Sequence, residues 1–119
     1  MRIRNVKDKE NILESCPIYI KDPKNYRLKW NELFLNDNPI HLEIGCGKCS
    51  FILEKARRYP NINFIGVERI DSVLALGIKK IDDFPKNLIL INYDANYIDE
   101  IFDKEIDRLY LNFFIILVQ

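Results

Sequence analysis

From His41 onward the chain alternates short apolar runs with amphipathic stretches, and this rhythm limits it to few folds. The runs are HLEIG at 41–45, SFILEKARRY at 50–59, INFIGVE at 62–68, a stretch opening at Asp71, LILINY at 88–93, YIDEIFDK at 97–104 and RLYLNF at 108–113. They predict strand, helix, strand, helix, strand, helix, strand. The strand runs are almost continuously apolar, as strands are when helices cover both faces of a parallel sheet. The expected architecture is an α/β, doubly wound, Rossmann-like sheet. Asp71 is placed to cap the second helix, with Val73, Leu74, Gly77, Ile78 and Ile81 on its apolar side.

Ahead of this region, residues 7–15 and 24–34 carry apolar residues at near-helical spacing, punctuated by Pro17 and Pro23. They predict two short helices, with Tyr26, Trp30 and Phe34 as packing residues. The turn Asn36-Asp37-Asn38-Pro39 then separates a basic helical extension, 1–38, from the main domain, 39–119.

A chain of 119 residues, 48% of them hydrophobic, is long enough for one core. No apolar run is long enough to span a bilayer and the leading residues are charged, so no membrane association and a cytoplasmic location are expected. Eighteen basic residues balance eighteen acidic ones, but residues 1–30 hold eight Lys/Arg against four acids. That local excess suits either a solvated helix face or contact with phosphate. Cys46 and Cys49 form a C-x-x-C, which invites a zinc or redox reading with Cys16 and His41. A zinc site normally shows a second closely spaced ligand pair, which is lacking, so no metal is expected. His41 reads as structural, and Lys55, Arg57 and Arg58 read as the solvated face of the first main-domain helix.

Chemistry concentrates where the first strand turns into that helix, at Glu43-Ile44-Gly45-Cys46-Gly47-Lys48-Cys49. Gly45 permits a tight turn, and Gly47 lets backbone approach a ligand without an intervening Cβ. Glu68 ends the second strand, where a carboxylate can accept hydrogen bonds from both hydroxyls of a ribose. Asp94 ends the third strand and suits an exocyclic amino group, although it equally suits the cap of a helix near Tyr97. Glu43 is expected to face the cationic end of a cofactor. A nicotinamide site would want a third glycine or alanine three residues after Gly47, where this chain has Ser50.

RIRN, KWNELF, NDNPIHLEIGCGKCSF, FIGVE, NYDA and DRLYLNF together resemble, in order and spacing, the tRNA (guanine-N7) methyltransferases. The resemblance covers residues 1 to about 113. It implies a class I methyltransferase fold, S-adenosyl-L-methionine as cofactor and tRNA as partner. It also implies that Glu43, Gly45, Gly47, Glu68 and Asp94 bind the cofactor and that Arg2 and Arg4 contact tRNA.

Two departures stand out. Relatives commonly have Gly-Lys-Gly where this chain has Gly47-Lys48-Cys49, so a positive φ at Cys49 would crowd the turn. After LYLNF the family continues with Ser-Asp-Pro-Trp-Pro-Lys, which supplies its catalytic Asp and a substrate-contacting Lys. Here the sequence runs Phe114-Ile115-Ile116-Leu117-Val118-Gln119, and Ile115 falls at the catalytic Asp. The expectation is a truncated first half of the fold with no catalytic residue, a bare sheet edge and impaired methyl transfer. The alternative is a non-catalytic S-adenosylmethionine- or RNA-binding fragment. Nothing in the residues sets an oligomeric state.

Overall fold

The structure, a computed structural model, describes residues 8–111. Arg2, Arg4 and Ile115 lie outside the described residues. The helices are α1 (Lys9–Ser15), α2 (Trp30–Phe34), α3 (Ser50–Arg58) and α4 (Asp71–Lys79). The strands are β1 (Tyr19–Ile20), β2 (Ile40–Ile44), β3 (Asn63–Glu68), β4 (Leu88–Asn92) and β5 (Arg108–Leu111).

All strands pair in parallel, in the order β1-β4-β3-β2-β5. The chain winds outward from β2 through β3 to β4, then returns to place β5 on the other side of β2. This is the doubly wound α/β sheet that the alternating runs predict. Strand alternation sorts the core into two layers. Phe64, Leu88 and Leu90 face one way and pack with Leu13 of α1, Ile52 and Ala56 of α3, and Leu74 and Ile78 of α4. Ile65, Val67, Ile89 and Ile91 face the other way and pack with Trp30 and Phe34 of α2 and with Ile101 and Phe102. Each Val, Leu, Ile or Phe side chain among them, when fully buried, contributes about 1.5–3 kcal/mol of transfer free energy.

The leading segment holds its helices and also enters the sheet. Tyr19 and Ile20 register against Leu90 and Ile91, and the Leu90 N–H donates to the Ile18 carbonyl at 2.9 Å. A two-residue strand has no period to read, so the sequence hid it.

Three local expectations change. Residues 24–34 do not form one helix: a 3₁₀ turn at Pro23–Tyr26 precedes α2, and between them Leu28 takes φ +67°. The Leu28 N–H donates to Glu105 Oε2 at 2.9 Å instead of to a helical carbonyl. Residues 97–104 do not form an α-helix. The chain makes a kinked 3₁₀ segment at Ala95–Glu100, and the Ile101 carbonyl just after it accepts from Trp30 Nε1 at 2.8 Å. Asp71 begins α4 but does not cap it; the N-cap is Ile70, and Asp71 instead meets Lys9 Nζ at 3.3 Å. That contact ties α1 to α4.

Candidate cofactor cleft

The carboxyl ends of β2, β3 and β4 enclose a cleft of about 320 Å³, lined by Ile44, Gly45, Val67, Glu68, Arg69, Tyr93, Asp94, Ala95 and Asn96. Strand ends next to the reversal of winding are where open α/β sheets hold ligands. Of the residues expected at a site, Gly45, Glu68 and Asp94 line this one cleft. Gly47 is joined to it through Glu68. Glu43 is buried within β2, 1% exposed, and does not line the cleft.

The glycine turn begins where the Gly45 and Cys46 N–H groups both donate to the Val67 carbonyl, at 2.8 and 3.0 Å. Gly45 and Gly47 sit at φ +79° and +57°, a region that other residues enter at a cost. A Cβ at Gly47 would meet nothing within 4 Å, so its outer face is open for a ligand to approach. Cys49, the N-cap of α3, sits at φ +71° with its side chain fully buried, so the positive φ that the glycine-rich turn raised as a possibility is present at a non-glycine residue.

Glu68 is 9% exposed and already has main-chain partners. Its Oε1 accepts from the Gly47 N–H at 2.8 Å and its Oε2 from the Ile70 N–H at 3.0 Å. One carboxylate thus fixes the glycine turn against the β3–α4 turn. Two oxygens with roughly four acceptor positions between them still leave capacity toward the cleft. Asp94 Oδ1 accepts from the Asn96 N–H at 3.0 Å and so caps the 3₁₀ segment, leaving Oδ2 without a partner among the described residues. Tyr93 donates its hydroxyl to Glu100 Oε1. Burial first, and then that bond and the charges of Glu100 and Asp99, push its phenol up to about 12.

Two positioning residues emerge from the structure: Asn92 was not singled out in the sequence, and Gly77 was read only as part of the apolar side of α4. Asn92 closes β4 and donates from Nδ2 to the carbonyls of Glu68 and Arg69, at 2.9 and 3.0 Å. A polar residue ending an apolar strand run was its only signal. Gly77 lies on the apolar side of α4, where an added Cβ would lie 2.4 Å from the Lys48 carbonyl oxygen. Glycine there lets α4 press against the glycine turn. A helical glycine away from any cap is a costly choice that usually has a packing reason, and this was legible.

The two thiols of the C-x-x-C are buried with their sulfurs 3.8 Å apart. Their mutual hydrogen bond, and then burial, push the Cys46 thiol well above its usual range, which keeps it protonated. Among the described residues no group of three or more His, Cys, Asp or Glu could hold a metal ion, and no helix is long and apolar enough to cross a membrane.

The tRNA (guanine-N(7)-)-methyltransferase of Lachnoclostridium phytofermentans is 43% identical over 115 residues, covering 95% of this chain and 54% of that protein. The protein of the same name from Listeria monocytogenes serotype 4b is 45% identical over 116 residues, with the same coverage. The chain spans about half the length of the curated relatives it matches. A solved structure described as an antibiotic related methyltransferase shares the fold, with TM-score 0.50 and 22% identity, covering 61% of this chain and 37% of that one. The family model described as putative methyltransferase matches residues 37–114. Because that match runs from the turn before β2 through β5, and so through every strand end that builds the cleft, the chain belongs to the putative methyltransferase family and has its Rossmann-like class I fold.

Proposed function

We propose that the chain binds S-adenosyl-L-methionine in this cleft and is the cofactor-binding half of a tRNA (guanine-N7) methyltransferase. The observation that carries the reading is the convergence of Gly45, Glu68 and Asp94 on one cleft, beside a Gly47 whose outer face is open. The names of relatives 43–45% identical over this region supply the substrate. A cytoplasmic location follows from that substrate class.

The acceptor groups of the cleft fit a nucleoside cofactor. Glu68 has acceptor capacity for ribose hydroxyls, and Asp94 Oδ2 can accept from an exocyclic amino group. Glu43, assigned to the cationic end of the cofactor on sequence grounds, is buried behind the turn. S-adenosylmethionine supplies an electrophilic methyl on a sulfonium. Guanine N7 presents a lone pair without prior deprotonation, so the protein's task is positioning and electrostatics. Arg2 and Arg4 are assigned to tRNA phosphates on sequence grounds. Ile115 carries no proton acceptor at the position of the family's catalytic Asp, which favours binding with impaired transfer.

Calorimetric titration with S-adenosylmethionine tests the cleft. Glu68→Ala is expected to weaken binding roughly ten- to hundred-fold, the worth of hydrogen bonds to a charged group. Unchanged affinity would remove Glu68 from the site. Incorporation of labelled methyl into guanine N7 of unmodified tRNA tests the activity. Rates matching a relative with the Asp in place would refute the impairment, and binding without transfer would establish the non-catalytic reading.

A further inference from the structure

A second cavity, of about 220 Å³, opens beside α3 and is lined by His41, Lys55, Tyr59, Phe64, Arg108 and Tyr110, among others. His41 lies four residues before Gly45, roughly 13 Å along the strand at about 3.3 Å per residue. The cavity therefore belongs to the other end of the sheet from the cofactor cleft.

Its construction is unusual for a solvated face. Arg57 and Arg58 are exposed, but Lys55 is half-buried among three rings, its Nζ 5.5 Å from the Phe51 centroid, 5.4 Å from Tyr59 and 5.5 Å from Tyr110. Arg108 lies over the same Tyr110 ring, Cζ to centroid 5.2 Å. Two like charges thus converge on one ring, and among the described residues neither forms an ion pair. His41 lines the same cavity, edge-on to Phe64 and tilted against Tyr110, its Nδ1 buried and without a hydrogen-bond partner among the described residues. The nearby acid, Asp107, accepts from the Ile40 N–H at 2.8 Å. Repelling cations without carboxylate partners are satisfied by one group, an oxyanion that accepts from both Lys55 and Arg108 and whose charge acts on the adjacent imidazole. Aromatic walls around the cations suit a ligand that brings a base or sugar alongside its charge.

We propose that this cavity binds a backbone phosphate of RNA, a contact separate from the cofactor cleft. The choice of RNA as the source rests on the tRNA reading above.

The chain has a single histidine, so its imidazole resonances report on the cavity without ambiguity. His41 is pulled below its ordinary value by burial first and then by Arg108 and Lys55, against an upward pull from Asp107; the rings of Tyr59 and Tyr110 also line the cavity around it. A bound anion must reverse part of that shift. NMR titration of the whole chain is expected to show a higher His41 pKa in inorganic phosphate than in chloride of equal ionic strength. No movement would overturn the site, and this reading does not depend on tRNA.

The second arm measures tRNA affinity against salt concentration. Lys55→Gln with Arg108→Gln is expected to reduce the slope of log K against log salt by about 1, the loss of one phosphate contact. Lys79→Gln with Lys80→Gln, exposed at the end of α4, is expected to leave it unchanged. An unaltered slope in the Lys55/Arg108 variant, with His41 still responding to phosphate, overturns the RNA assignment in favour of a small phosphate ester. A wild-type chain without affinity for tRNA would instead refute the tRNA reading and the RNA assignment together, and the His41 titration would still decide whether the cavity takes phosphate.

Discussion

At Cys49 two single-residue effects oppose each other. The left-handed backbone, φ +71° and ψ 11°, costs a non-glycine residue about 1–2 kcal/mol, while the side chain is fully buried against Cys46. Replacement by alanine keeps the strain and loses the sulfur contact. Replacement by glycine loses the same contact but relieves the backbone. Urea unfolding is therefore expected to rank Cys49→Gly above Cys49→Ala by about 1 kcal/mol, reversing the order found within ordinary helices. Equal stabilities would show that the turn is not strained there. The tension at Cys49 was legible because a glycine-rich turn limits the φ values its residues can take. The double duty of Glu68 was not legible, because its bond to Gly47 joins residues twenty-one positions apart. Asp94 takes the capping role, one of the two readings open to it, and also lines the cleft.

Among the elements, strands β2, β3 and β4 were readable because their apolar runs record burial on both faces. The segments around α2 and residues 95–102 were not, because tertiary contacts decide their backbone. Trp30 is the clearest instance: fully buried, stacked at a tilt against Tyr26 and Phe102, and bonded through Nε1 to the Ile101 carbonyl. That bond spends a carbonyl which a regular helix over 97–104 would have used internally. Trp30→Phe keeps an aromatic ring but strands the Ile101 carbonyl in the core and leaves space beside it. A loss of about 2–3 kcal/mol is expected from the unpaired acceptor and the lost contacts. Circular dichroism during denaturation is the suitable readout, since the variant lacks the chain's single tryptophan. A loss below about 0.5 kcal/mol, the usual range of surface substitutions, would mean that the indole does not hold the two segments together.

For the whole molecule, His41 links stability to pH. Its folded pKa lies below the unfolded value of 6.5, so between the two the unfolded chain binds more protons. The contribution is fully present above pH 6.5 and is lost as pH falls through the folded pKa. Denaturant midpoints are expected to drop through that window in wild type and to drop less in His41→Gln. Identical slopes would show that the imidazole is not held neutral by the fold. The doubly wound plan was legible as a whole because each crossover repeats one local pattern. The place of β1 was not, since only its neighbour β4 makes Tyr19 and Ile20 a strand. That pairing bears on the order of assembly. A ribosome releases Tyr19 long before Leu90, so Tyr19 and Ile20 have no sheet edge to join until β4 emerges. Leu13 and Cys16, buried in the finished molecule, stay open to solvent and to chance partners meanwhile. β1 therefore cannot pair before β4 has been made.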